Sequence, residues 1–266
     1  MARPAARAVP IALALFLLTV GCSAGSPPAA PAPTDGGQAG PASTSQSASP
    51  AAAPVRQALE PLTREQLTAV LLPVADLPAG STAEAVDSTP APGTAARYEA
   101  AAQRRPACAP ILTVLSEQPA ASARSLYVTG SNVLGNRTLV DVGGFPAGRV
   151  WERFDALAAA VHGGCPGFRM ESGIGAAELR VEAVPSAELE APAVGFRALS
   201  PTGAVASAGG STRVYLYVAV GDNRILFSVV DDTAHAPALR ADLVTAQIHR
   251  LVTAGAPPAA ATAPPG

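Results

Sequence analysis

Lysine is missing from this chain altogether: all 18 of its basic residues are arginine. Beside the abundant alanine and proline, that is the residue usage of a high-GC bacterial genome and says little about chemistry. Charge of either sign is scarce, at 14% of residues, and the formal balance is −2 at pH 7. Proteins that grip nucleic acid neutralise phosphates with a basic face, so this balance argues against a nucleic-acid partner. Cysteine and histidine are down to three residues each. His162 beside Cys165 offers two ligands where zinc ordinarily takes four, so no metal is expected. Within the domain there is no G-x-S-x-G elbow, no H-E-x-x-H, no P-loop and no G-x-G-x-x-G, so no cofactor and no catalytic residue is expected either. Gly173-Ile174-Gly175 runs into Ala-Ala-Glu and reads as a turn.

Long hydrophobic runs are lacking too. The longest, Val9–Val20, is about a dozen residues, short of the ~20 a membrane-spanning helix needs. Arg3 and Arg7 precede it, no acid does, and Gly21-Cys22 follows, which together describe a secretory signal over residues 1–21. Leu18-Thr19-Val20-Gly21-Cys22 resembles the lipobox of bacterial lipoproteins, so the expectation is cleavage before Cys22 and lipidation of its thiol. A plain secretory peptide with an incidental Cys22 is the alternative. Lipid chains contribute ~0.8 kcal/mol per buried methylene, and several of them would hold the protein on the outer face of the cell membrane. Loss of Arg3 and Arg7 leaves 16 arginines against 20 acids, a charge of −4 for the mature chain.

From Ser23 to Pro54 the chain is nearly all Ser, Pro, Ala, Gly, Thr and Gln, with Asp35 its only charge. Such a composition cannot offset the entropy of ordering, so residues 22–56 read as a disordered tether spanning roughly 30 Å as a coil. The Pro/Ala-rich end, 254–266, reads as a tail. One domain remains, 57–253.

Within it, Thr63-Arg64-Glu65-Gln66 is a capping box, with Leu67, Val70, Leu71 and Val74 on the apolar face that follows. Helices are expected over Thr94–Gln103 and Ala109–Ser116. A longer one is expected over Ala147–His162, where Val150, Phe154, Leu157 and Val161 form a stripe and Gly163-Gly164 ends it. A last helix is expected over Ala236–Val252. Strands are expected at Ser125–Gly130, Arg137–Val142, Glu178–Val184 and Ala193–Leu199. The clearest local signal is a hairpin, RVYLYVAV and RILFSVV about Gly221-Asp222-Asn223. Adjacent strands without regular βαβ alternation indicate an α+β domain on a mainly antiparallel sheet, with helices packed on one face.

With Cys22 lipidated, Cys108 and Cys165 remain, and two cysteines in an oxidising compartment most often pair. Two free buried thiols are the alternative. The amphipathic opening LTREQLTAVLLPVADLP, Pro106-Ala107-Cys108 after a helix, and a helix ending before Cys165 follow the anchor and tether in order. In that order and spacing residues 57–252 resemble the PknH-like extracellular sensor domains, found on transmembrane kinases or as free lipoproteins. The resemblance implies a sensor or binding module with a cleft in an α+β domain, and it brings no catalytic residues. It also meets two departures: no cysteines for a second disulfide, and Trp151 placed well before Cys165.

The candidate binding residues are Arg213, Tyr215 and Tyr217 on one face of the hairpin strand, together with Arg124 and Tyr127. Tyrosines beside an arginine offer flat apolar area with donors at the edge, suited to an envelope ligand such as a carbohydrate or peptide. A solvated or helix-covered sheet face is the plainer reading of the same residues. Three functional classes stay open: a non-enzymatic binding lipoprotein, a protein-interaction module of the envelope, and a hydrolase built around His235 behind Asp231-Asp232.

Overall fold

The computed structural model describes residues 58–87, 92–129, 136–172, 175–186, 189–200, 212–231 and 237–255. Cys22, the signal, the tether, His235 and the Gly173-Ile174 turn lie outside them. None of the described helices is long and apolar enough to cross a membrane.

Eight strands form one sheet, every neighbouring pair antiparallel. They are β1 (Thr82–Ala85), β2 (Ala121–Thr129), β3 (Asn136–Gly144), β4 (Gly167–Ser172), β5 (Gly175–Val184), β6 (Ala193–Leu199), β7 (Arg213–Val220) and β8 (Asn223–Asp231). Their order across the sheet is β1-β2-β3-β8-β7-β6-β5-β4. The expected hairpin is its centre: β7 and β8 pair from Arg213↔Val230 to Val220↔Asn223 around a two-residue turn. Gly221 in that turn has φ +59, and an added Cβ would sit 2.4 Å from the Leu59 backbone. Only glycine meets both demands.

Five helices pack on the sheet: α1 (Arg64–Val70), α2 (Thr94–Arg104), α3 (Ala109–Ser116), α4 (Arg149–Ala159) and α5 (Ala241–Ala254). The capping box forms at α1, Thr63 N–H donating to Gln66 Oε1 at 2.9 Å and Gln66 N–H to Thr63 Oγ1 at 3.4 Å. After α4 a wide π-type turn carries the chain to Gly164, and Gly163 breaks it with φ +151. Helix α5 starts five residues later than its sequence pattern suggests. Residues 237–240 stay outside the helix, with Arg240 extended at its N-cap; Leu239 packs against the core there and Asn136 Nδ2 donates to the Ala238 carbonyl at 2.8 Å.

The α+β antiparallel class and the disulfide stand as expected, but the helices cover both faces of the sheet and not one. Helices α2, α3 and α4 enclose one core with Phe168, Val181, Phe196, Tyr215 and Tyr217. Helices α1 and α5 enclose another with Tyr127, Val140, Leu216, Val218 and Phe227. The cause lies in β7 and β8, which are apolar at both parities. A strand of that kind needs cover on each side. Buried amides close the second layer. Gln247 of α5 donates to the Val70 carbonyl at 2.8 Å and accepts from Leu72 N–H at 3.3 Å, satisfying groups at the end of α1. Asn223 does the same for the segment entering α1, at Leu62 N–H and the Glu60 carbonyl, both at 2.8 Å.

Candidate functional site

The cysteines are joined. Cys108 and Cys165 form a disulfide with Cα atoms 4.7 Å apart, both buried, tying the start of α3 to the end of the α4 turn. That bond fastens two helices of the first layer to one another, away from any open surface.

The five candidate binding residues do not converge. Arg213, Tyr215 and Tyr217 do share a face of β7, as alternation requires, but that face lies under helices. Tyr217 is 1% exposed, and its hydroxyl donates to the Val150 carbonyl of α4 at 3.1 Å. Burial pushes its phenol well above the ordinary tyrosine range. Tyr215 stacks on Phe196 with ring centroids 4.9 Å apart. Only Arg213 is exposed. Tyr127 points into the opposite layer and is fully buried there. Arg124 lies on the first face but is engaged, with Nη2 and Nε at 2.8 and 3.0 Å from Asp141 Oδ2. Aromatic residues at a helix-covered strand supply core area here, not a contact surface.

Asp141 also serves Arg224, which is 1% exposed. The Arg224 guanidinium reaches the same Oδ2 at 3.4 Å, donates to the Val114 carbonyl at 3.3 Å, and lies 5.0 Å from the Phe145 ring centroid. This is a buried ion cluster across β2, β3 and β8. Beside it an open groove of about 800 Å³ runs between the ends of α3 and α4. Its charges already answer one another: Glu117 takes Arg149 and Arg153, and Glu152 takes Arg149. No group of three or more metal-ligating side chains occurs among the described residues.

The opposite layer holds a different kind of space. Between α5, the segment 237–240 and the far half of the sheet lies a pocket of about 310 Å³. Val214 and Leu216 of β7 form its floor, and Val184 with Pro185 at the end of β5 forms one wall. Leu189, Leu239 and Val244 close it from the loop and helix side. Among the described residues its lining holds no aromatic side chain, and its polar members are Ser186, whose hydroxyl donates to the Ala193 carbonyl, and Arg197.

Arg197 has 46% of its side chain exposed and stands where the pocket meets solvent. It pairs with Glu182, Nη2 to Oε2 at 2.6 Å, and Glu182 also takes Arg180 at 3.3 Å. Two guanidinium groups thus share one carboxylate. At the start of α5, Asp242 pairs with Arg240, whose hydrogen bond holds the carboxyl below the usual range. Glu190 is turned toward His249, 3.9 Å away. The volume sits at the lower edge of small-molecule sites. Nothing local announces this site in the sequence. Its residues come from β5, β6, β7 and α5, and aliphatic lining looks like core until the helix is seen to stand off.

No protein-family model matches the sequence, and no curated protein does. Among solved structures the chain is similar to the extracellular domain of PknH from Mycobacterium tuberculosis. Identity is 14% and the TM-score 0.37, over 73% of this chain and 96% of that one. A putative uncharacterized protein of Mycobacterium smegmatis is similar at 12% identity and a TM-score of 0.32, over 71% and 94%.

Proposed function

We propose that this chain is an exported lipoprotein, anchored through Cys22 on the outer face of the cell membrane, whose domain is a non-enzymatic sensor or ligand-binding module. The pocket beneath α5 carries the reading, because it is a mainly apolar space of ligand size within the second layer. Export is supported by the basic and apolar signal with its lipobox, and by a buried disulfide that belongs to oxidising compartments. A protein-interaction module would need a contiguous apolar surface. Among the described residues the large exposed apolar side chains are Val74 and Val86, well apart in sequence and without such a patch. The alternative built on His235 lies outside the described residues and has no geometry to support it.

The test uses the full chain with Cys22→Ser, which removes the acyl anchor, and the neutral fluorescent probe N-phenyl-1-naphthylamine. Saturable binding at one site is expected. Ala241→Trp places a large ring at the pocket mouth from an exposed position on α5 and should lower the affinity at least tenfold with the melting temperature unchanged. Equal binding by both proteins would remove this pocket as the site.

A further inference from the structure

We infer that the ligand class of this pocket is a single-chain anionic amphiphile, a medium-length fatty acid or a compound of that shape, with its chain inside and its head at Arg197. The inference rests on the pocket being the binding site and goes on to say what fills it. The lining decides the tail. Carbohydrate and nucleobase sites use aromatic faces and convergent donors, and among the described residues this lining has no aromatic ring and one hydroxyl already committed to a carbonyl. Aliphatic walls recognise little beyond aliphatic shape.

The volume sets the length. About 310 Å³ holds on the order of ten groups the size of a water molecule at ~30 Å³ each, and a methylene is of similar bulk. One chain of roughly ten carbons therefore fills the space, and the two chains of a membrane phospholipid do not enter. The rim sets the head. Among the described residues Arg197 is the charged side chain that lines the pocket, and it shares Glu182 with Arg180. An anion reaching the pocket thus meets a planar guanidinium suited to a carboxylate.

Displacement of N-phenyl-1-naphthylamine from the full chain with Cys22→Ser tests this directly. Decanoate should compete better than decanol, and decanol better than decyltrimethylammonium. Along the series of eight, ten, twelve and sixteen carbons, affinity should rise about fourfold per methylene at first and level off near ten. Arg197→Gln should weaken decanoate about threefold, as expected for a half-exposed ion pair, and leave decanol unchanged. Vesicles of phosphatidylglycerol should not displace the probe. Should the probe bind and Ala241→Trp abolish it while decanoate and decyltrimethylammonium compete equally, the ligand class is wrong and the pocket stands. Vesicles that compete as well as decanoate would overturn the single-chain assignment. Competition that appears only after deletion of residues 256–266 would mean the chain's own tail is the occupant, and would overturn it as well. A probe that never binds sinks both readings.

Discussion

Arg224 and Asp141 show what a single charged residue does inside this fold. The sheet face beneath α3 and α4 is largely apolar, yet a guanidinium is buried there, held by one carboxylate, one carbonyl and the face of Phe145. Removing one partner of such a group leaves a charge in a medium that cannot solvate it, which costs about 3–5 kcal/mol. Asp141→Ala should therefore destabilise the domain by that amount in urea unfolding, and adding Arg224→Met should recover most of the loss. A change below about 1 kcal/mol for Asp141→Ala would mean the cluster relaxes into water. None of this is visible in the sequence, where Arg224 is one more polar residue after a turn. Tyr215 and Tyr217 illustrate the converse. Their alternation along β7 was legible, but whether that face met solvent or a helix was a tertiary fact, and α4 covers it.

At the scale of elements, local signals held wherever the chain itself decides the conformation. The Thr63 capping box, helix α3 over Ala109–Ser116 and the β7–β8 turn at Gly221 were all readable, because caps and turns are chosen by nearby residues. The edge strands β1 and β4 were not read. Thr82–Ala85 is four residues long and exposed throughout, so it has no apolar alternation to detect. The late start of α5 was missed for a related reason: Pro237-Ala238-Leu239-Arg240 has no helix breaker in its interior, yet it stays outside the helix, where Leu239 packs against the core. That displacement matters, since the segment becomes a wall of the pocket. The disulfide joins α3 to the α4 turn across a sequence separation of 57. Chain-entropy arithmetic gives it about 4 kcal/mol. Cys108→Ser with Cys165→Ser should lower unfolding stability by about that much, through the first layer, while probe binding beneath α5 persists. Loss of probe binding in the still-folded variant would show that the two layers are coupled.

For the whole molecule, the sequence carried the fold class further than it carried the site. An α+β antiparallel domain with one disulfide followed from composition, alternation and cysteine count. The two-layer cover did not, although RVYLYVAV, apolar on both faces, held the clue. The pocket was illegible because its lining is assembled from residues far apart in sequence, most of them aliphatic, with Ser186 and Arg197 its polar members among the described residues. Everything proposed for this domain depends on its being exported and held at the membrane, so the decisive measurement is the intact mass of protein extracted from membranes, before and after reduction and alkylation. The account predicts a chain that begins at a diacylglyceryl-modified Cys22, with Cys108 and Cys165 alkylated only after reduction. An unlipidated chain whose two thiols are free from the start would contradict it.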